Sequence, residues 1–202
     1  MKEEDIIEYC NLMEEIKKRT KVIDIFLSVS FHALYKATTI ESICLQLRKI
    51  LELIALGSLV ANKEVFSKVY REFAKCWNAE YIFKDIERIN PEFYPKPIIE
   101  IPSPQLEVKM DWKDKDPKEY LTKKEFIKVY KKCGAIMHSS NPYGSHFDYG
   151  YYDKNIPIWR TKIINLLNSH QIRLLNDPNI YLIHMKETSD HKVHHYVFAP
   201  EI

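Results

Sequence analysis

The sequence predicts a mainly α, α+β fold: a helical bundle around one central apolar helix (about 39–61) with a small C-terminal β-hairpin. Three features point there. Apolar residues recur at helical spacing through much of the first 155 positions, the stretch 39–61 is apolar on nearly every side, and residues 180–199 alternate around Ser189-Asp190. With 202 residues, 46% of them hydrophobic and 29% charged, the chain can bury a sizeable core and reads as one domain over 1–202. Within it, 1–155 is expected to form the bundle, including a Pro-rich connector at 90–104, and 156–202 a last helix plus the hairpin as an appendage.

In chain order, Ile6, Ile7, Tyr9, Leu12, Met13 and Ile16 among charges predict a surface helix over 3–20. Residues 22–37 (VIDIFLSVSFHALYKA) predict a second. Thr38-x-x-Glu41 has the form of a capping box and starts the central helix. There Ile43, Leu47, Ile50, Leu51 and Ile54 make one stripe, and Leu45, Leu53, Leu56, Leu59 and Val60 cover most of the other side, the pattern of a helix surrounded by others. Asn62 is expected to cap a helix over 63–89, with Val65, Phe66, Val69, Phe73, Cys76, Trp77 and Ile82 toward the core. That helix should stop before Asn90-Pro91, because a residue preceding proline is driven out of the α region.

Five prolines punctuate 90–104, with short strands expected at Ile98–Ile101 and Glu107–Trp112. Thr122-x-x-Glu125 offers a second capping box for a helix running to Met137, followed by a loop over 138–152. A last helix is expected over 156–175, with Pro157 in its first turn. Strands over 180–186 and 192–199 complete the hairpin. A two-residue turn at Ser189-Asp190 would set His184 directly opposite His195.

Glycine is scarce: four residues where ordinary usage would supply about fourteen. No dinucleotide fingerprint, phosphate loop or G-x-S-x-G elbow can be written with them. Gly134, Gly144 and Gly150 fall close together around His138 and His146, which marks the place where a site is expected. The first ten residues, MKEEDIIEYC, are acidic where a secretory signal is basic, and the apolar run 50–61 is too short to span a bilayer. The expectation is a cytoplasmic chain without a membrane partner. Cys10, Cys44, Cys76 and Cys133 form no C-x-x-C pair and read as buried small hydrophobes.

The net charge of +2 is unevenly spread: residues 109–132 hold nine lysines against five carboxylates. That local excess suits either a phosphate-bearing partner or a solvated helix face. It leads into the sharpest local signal, Tyr130-Lys131-Lys132-Cys133-Gly134-Ala135-Ile136-Met137-His138, then Asn141-Pro142-Tyr143-Gly144. His138 is the candidate general acid–base, with Lys131 and Lys132 to hold a phosphate; its bland alternative is capping a helix C-terminus. Asn141, Tyr143 and His146 are candidate binding residues. In the central helix, Arg48 and Glu52 stand i,i+4 and read as a partly buried ion pair or an anion site with Glu52 orienting Arg48. The hairpin histidines 184, 191, 194 and 195 do not close a metal site, and Cys133 with His138 lies off-face for nucleophilic catalysis. No metal and no cofactor are expected.

The strings TTIESICLQLRKILELIA (38–55), FYPKP (93–97) and CGAIMHSSNPY (133–143) resemble an uncharacterised group of bacterial proteins, a likeness that brings no activity with it. A broader likeness is to the HEPN superfamily of helical ribonucleases and toxins, whose signature places an arginine four to six residues before a histidine. Here His138 matches the histidine and Lys132 or Lys131 stands in the arginine position. The resemblance implies an often dimeric helical bundle acting as a metal-independent endoribonuclease. In it the 2′-hydroxyl would attack the phosphate, His138 would transfer a proton and the lysines would stabilise charge. Lysine lacks the bidentate fork of arginine, so a non-catalytic member fits the same pattern. Function is therefore expected to be RNA binding or cleavage in a bacterial defence or toxin–antitoxin system, with RNA, an antitoxin or a second copy as partner. The alternative is a non-catalytic protein-interaction scaffold.

Overall fold

Helix α2 (Lys36–Ala61) occupies the centre of the molecule. Ile40, Ile43, Leu47, Ile50, Leu51 and Ile54 are buried along it, and α1 (Glu3–Ser28), α4 (Ala79–Ile89), α5 (Lys123–Ala135) and α6 (Tyr149–Leu167) all pack against it. Leu45 is exposed and Leu53, Leu56 and Val60 only partly covered, so the helix keeps one solvent edge. The computed structural model describes residues 1–28, 33–69, 78–104, 110–144 and 146–200. Among them, no helix is long and apolar enough to cross a membrane.

Several element boundaries differ from the sequence expectation, each for a local reason. The helices expected at 3–20 and 22–37 are one helix as far as Ser28. Thr20 does not interrupt it, because its hydroxyl donates to Ile16 O at 2.9 Å within the helix. The central helix begins at Lys36, with Tyr35 as N-cap, and the Thr38–Glu41 capping box does not form. Thr38 instead returns its hydroxyl to the carbonyls of Tyr35 and Ala33, and Glu41 accepts from the Tyr149 hydroxyl at 2.9 Å.

Asn62 does not cap the next helix either: its amide donates to Ser58 O and its Oδ1 accepts from Asn90 Nδ2, both at 2.8 Å. The span 63–89 holds α3 (Lys63–Val69) and α4, the latter capped by Asn78, whose Oδ1 accepts from the amides of Glu80 and Tyr81. Phe66 and Ile82 are buried as expected, while Phe73, Cys76 and Trp77 lie outside the described residues. The second capping box forms fully, with Thr122 and Glu125 satisfying each other's backbone amides.

The C-terminal half departs furthest. Asp148 caps α6 by accepting from Tyr151 N–H, so the helix starts seven residues before the expected position and Pro157 sits in its interior. It ends at Leu167, and the next residues are a strand, β3 (Ser169–Ile172). This strand joins β1 (Lys96–Pro102) and β2 (Met110–Asp114) to β4 (Ile180–His184) and β5 (His194–Phe198) in one antiparallel sheet of order β2-β1-β3-β4-β5. The β structure is thus larger than a hairpin, and the Pro-rich connector is part of it.

The hairpin register is shifted by one. Glu187 N–H donates to Lys192 O while His191 N–H donates to Glu187 O, so His191 and Lys192 together face Glu187, with His191 at a left-handed φ of 60°. The extra residue sets His184 opposite His194 and moves His195 opposite Ile183.

Alternation along the paired strands puts Pro97, His170, Ile172, Tyr181 and Ile183 on one face, toward the helices. A buried bond between sheet and bundle runs from Tyr9 OH to His170 Nε2 at 2.8 Å. His170 Nδ1 faces Leu167 O at 2.7 Å, so the neutral tautomer with Nδ1–H satisfies both contacts. Burial pushes the imidazole pKa down to about 4. The unfolded chain, with an ordinary histidine near 6.5, takes up a proton between those values that the folded chain refuses. Stability should therefore fall by about 3 kcal/mol as pH drops from about 6.5 to 4. Urea melts across this window should show that slope, and it should be missing from His170→Asn despite that variant's lower starting stability.

Candidate functional site

Helix α5 carries most of the expected site, and its lysines divide between its two neighbours. On one flank Lys131 Nζ pairs with Glu80 of α4 at 2.8 Å, and Lys123 pairs with Glu87 of the same helix. On the other, Lys132 Nζ lies 5.0 Å from the centre of the Tyr151 ring of α6. Between α5 and α6 runs an open groove of about 610 Å³, lined by Lys128, Lys131, Lys132, Ala135, Tyr151 and Trp159. Glu125 also borders it. Its carboxylate is occupied by Lys162 at 2.6 Å and by Thr122, which together hold its pKa below the usual carboxylate value against the opposing effect of burial. The groove is therefore basic, with Lys128 free of any ion pair among the described residues.

His138 is exposed just past the end of α5, and its backbone N–H donates to the carbonyl of groove-lining Ala135 at 3.3 Å. The structure brings Lys131 and Lys132 to the groove and His138 to its end, without a described side-chain contact between the histidine and either lysine. The other loop candidates are not gathered with them. Asn141 closes a local turn, its Oδ1 accepting from Tyr143 N–H and its carbonyl from Gly144 N–H, both at 2.9 Å. Tyr143 is fully in solvent and His146 is exposed.

Comparison with protein-family models, with curated proteins and with solved structures finds no match to this chain.

Arg48 and Glu52 form a half-buried network rather than an open anion site. Arg48 Nε lies 3.2 Å from Glu52 Oε1, its Nη2 donates to the Tyr130 hydroxyl at 2.8 Å, and its guanidinium carbon sits 4.2 Å from the Tyr130 ring centre. A Cβ at Gly134 would fall 2.3 Å from Arg48 Nη1, so glycine at this position in α5 leaves room for the guanidinium as it is placed. Lys49 also pairs with Glu52, at 3.1 Å. Nε and Nη2 of Arg48 are thus both engaged with protein groups.

Cys133 and Cys44 are buried, and the Cys133 thiol is held well above the ordinary value by its hydrogen bond with Cys44 and by burial, the reverse of an activated nucleophile. Among the described residues no group of three or more His, Cys, Asp or Glu side chains is placed to hold a metal ion.

Sequence reasoning missed Lys128, Tyr151 and Trp159. Lys128 was accessible to it, since 128, 131 and 132 stand i, i+3, i+4 on one helix face. Tyr151 was not, because its place depends on α6 starting at Tyr149.

For the Arg48 network, Arg48→Leu should cost about 1–3 kcal/mol, the worth of hydrogen bonds to a charged group, since Glu52 retains Lys49. Urea melts check this; an unchanged midpoint would show that the network contributes nothing to folding.

Proposed function

We propose that this chain is a HEPN-like RNA-binding protein of a bacterial defence or toxin–antitoxin system, with the α5–α6 groove as the RNA contact. The observation that carries this reading is the coincidence, in one open groove, of Lys128 and Lys132 with the partly exposed ring of Tyr151, while Lys131, which also lines it, is paired with Glu80. Lysines supply point charges for successive phosphates, and an aromatic face accepts an unstacked base of any sequence. Single-stranded RNA is favoured over a duplex, because only a single strand offers bases to stack. Acidic α4 is offset from the groove and spends Glu80 and Glu87 on the opposite flank of α5.

Cleavage, in this reading, has His138 at the groove's end take the proton of the 2′-hydroxyl as that oxygen attacks the adjacent phosphorus; the P–O5′ bond breaks, leaving a 2′,3′-cyclic phosphate and a 5′-hydroxyl protonated from water. Lys132 then stabilises the charge on the phosphorus oxygens, and no metal is required. The runner-up is a non-catalytic protein-interaction scaffold in the same kind of system.

Fluorescence anisotropy with a labelled 12-nucleotide RNA tests the reading. Binding should weaken steeply with salt, and Lys128→Glu with Lys132→Glu should reduce affinity by about tenfold or more and flatten the salt slope. Tyr151→Ala should cost about tenfold with less effect on that slope. In EDTA, cleavage should leave cyclic-phosphate ends, and His138→Ala should abolish it while leaving binding intact. RNA affinity unaffected by the groove substitutions, or no salt-dependent binding at all, would overturn the reading in favour of the scaffold.

A further inference from the structure

The sheet face turned away from the helices holds a second polar centre. Strand register places Trp112, Glu100, Ile98, Ser169, Gln171, Leu182, His184, Tyr196 and Phe198 on that face, while Tyr9 and Cys10 of α1 touch His170 and His195 on the other. Ile98 and Leu182 are nonetheless buried, apart from the main core. Part of their cover comes from the sheet itself. β2 and β5 are its opposite edges, about 19 Å apart in a flat sheet, yet Trp112 of β2 meets Phe198 of β5 edge-to-face with ring centres 4.8 Å apart. Twist has brought two diagonal corners together over this face.

Beside that aromatic bridge the polar groups are arranged around carboxylates. Glu100 Oε1 accepts from the Ser169 hydroxyl at 2.6 Å and lies 2.7 Å from His184 Nε2. The latter is a close approach and not a directed hydrogen bond, since Nε2 has no hydrogen-bond partner. Glu187 faces His184 Nδ1 at 3.3 Å and accepts from the Tyr196 hydroxyl at 3.0 Å. The Tyr196 ring stands 5.1 Å from that of His184. The hydroxyls and the imidazole are thus all turned toward carboxylates. Against this stands Gln171, only 4% exposed, whose Oε1 has no hydrogen-bond partner. A buried acceptor left unmet costs about 1–3 kcal/mol, and what it calls for is a donor.

We propose that this curled face binds an organic cation, an alkylammonium or guanidinium group. The cation donates to Gln171 Oε1, draws counter-charge from Glu100 and Glu187, and rests against the rings of Trp112, Tyr196 and Phe198. Acceptors, carboxylates and π-faces are the complement of that chemistry, and the lysine of this face, Lys96 opposite Gln171, is already paired with Asp114 at 2.8 Å. The Trp112–Phe198 contact is the lid that admits the ligand by separating. The site is independent of the α5–α6 groove: one takes a cation, the other an anion. A small free amine and an arginine or lysine side chain of a peptide share the required head group, and the experiment separates them.

The Nα-acetylated forms of arginine amide and of its uncharged isostere citrulline amide, and an N-acetylated, C-amidated short peptide with a single arginine, are titrated into the full chain. The Gln171 side-chain amide and the Trp112 indole N–H are followed by NMR. Saturable shifts are expected with the cations, with citrulline amide weaker by about tenfold or more. Gln171→Leu should lose affinity by a similar factor while its melting temperature holds or rises, because it removes an unmet acceptor. Glu100→Gln should weaken binding as well. A peptide at least about tenfold tighter than the free amide identifies a partner's side chain as the occupant, and equal affinities identify a small cation. No saturable shift with either cation, or affinities indifferent to both Gln171→Leu and the loss of ligand charge, would overturn the proposal.

Discussion

The structure turns on where Tyr9 sits. Its ring lies against Gly57 of α2, where an added Cβ would stand 3.1 Å from Tyr9 Cε2 and 3.3 Å from Met13 Cε, and its hydroxyl reaches His170 of β3. One side chain of α1 thus sets the spacing of two helices and anchors the sheet to both. The arrangement needs a small residue on α2, a neutral imidazole on β3 and a phenol that stays protonated, and burial pushes the Tyr9 hydroxyl strongly in that direction. Because both polar partners are buried, neither can be lost without stranding the other, which makes this contact more demanding than its single hydrogen bond suggests.

Two of the four glycines, Gly57 and Gly134, serve close approach between packed elements. None of the four takes a positive φ; the left-handed positions fall to Leu34, Asn176 and His191. Gly57 makes room for Tyr9, and Gly134 makes room for the Arg48 guanidinium. The cluster of glycines around His138 therefore marks helix packing at Gly134 and local turn geometry at Gly144 more than a catalytic loop. At His191 the absence of glycine has a visible consequence. A bulge is built on a histidine, and the histidines of the last two strands are re-paired by one position.

Charge is sorted by element rather than spread. Helix α5 gives Lys123 and Lys131 to the carboxylates of α4 and keeps Lys128 and Lys132 for the groove beside α6. The acidic groups Glu100 and Glu187 gather on the outer face of the sheet around His184. A chain with a net charge of only +2 thereby presents one basic groove and one acidic, aromatic face, two surfaces that suit ligands of opposite sign.

Much of the helical half was legible in the sequence because its signals are local. The apolar stripe of α2, the Thr122–Glu125 box and the proximity of Arg48 to Glu52 all follow from residues within one or two turns of each other. The lysines of the groove and His138 were readable as types, not as a constellation. Tertiary structure decided the rest. Residues 169–172 continue a helix-compatible pattern, yet pairing with β1 and β4 makes them a strand, since backbone hydrogen bonds to two neighbours outweigh a weak local preference. The strand within the Pro-rich connector was readable at Ile98–Ile101, and what only the tertiary structure decided was its pairing with β3. Gln171, Glu100, His184 and Trp112 lie far apart in the chain, and only the sheet's register and twist set them on one face. Spacing along a helix is written in the sequence, whereas contacts across a sheet depend on which strands meet and how far the sheet curls.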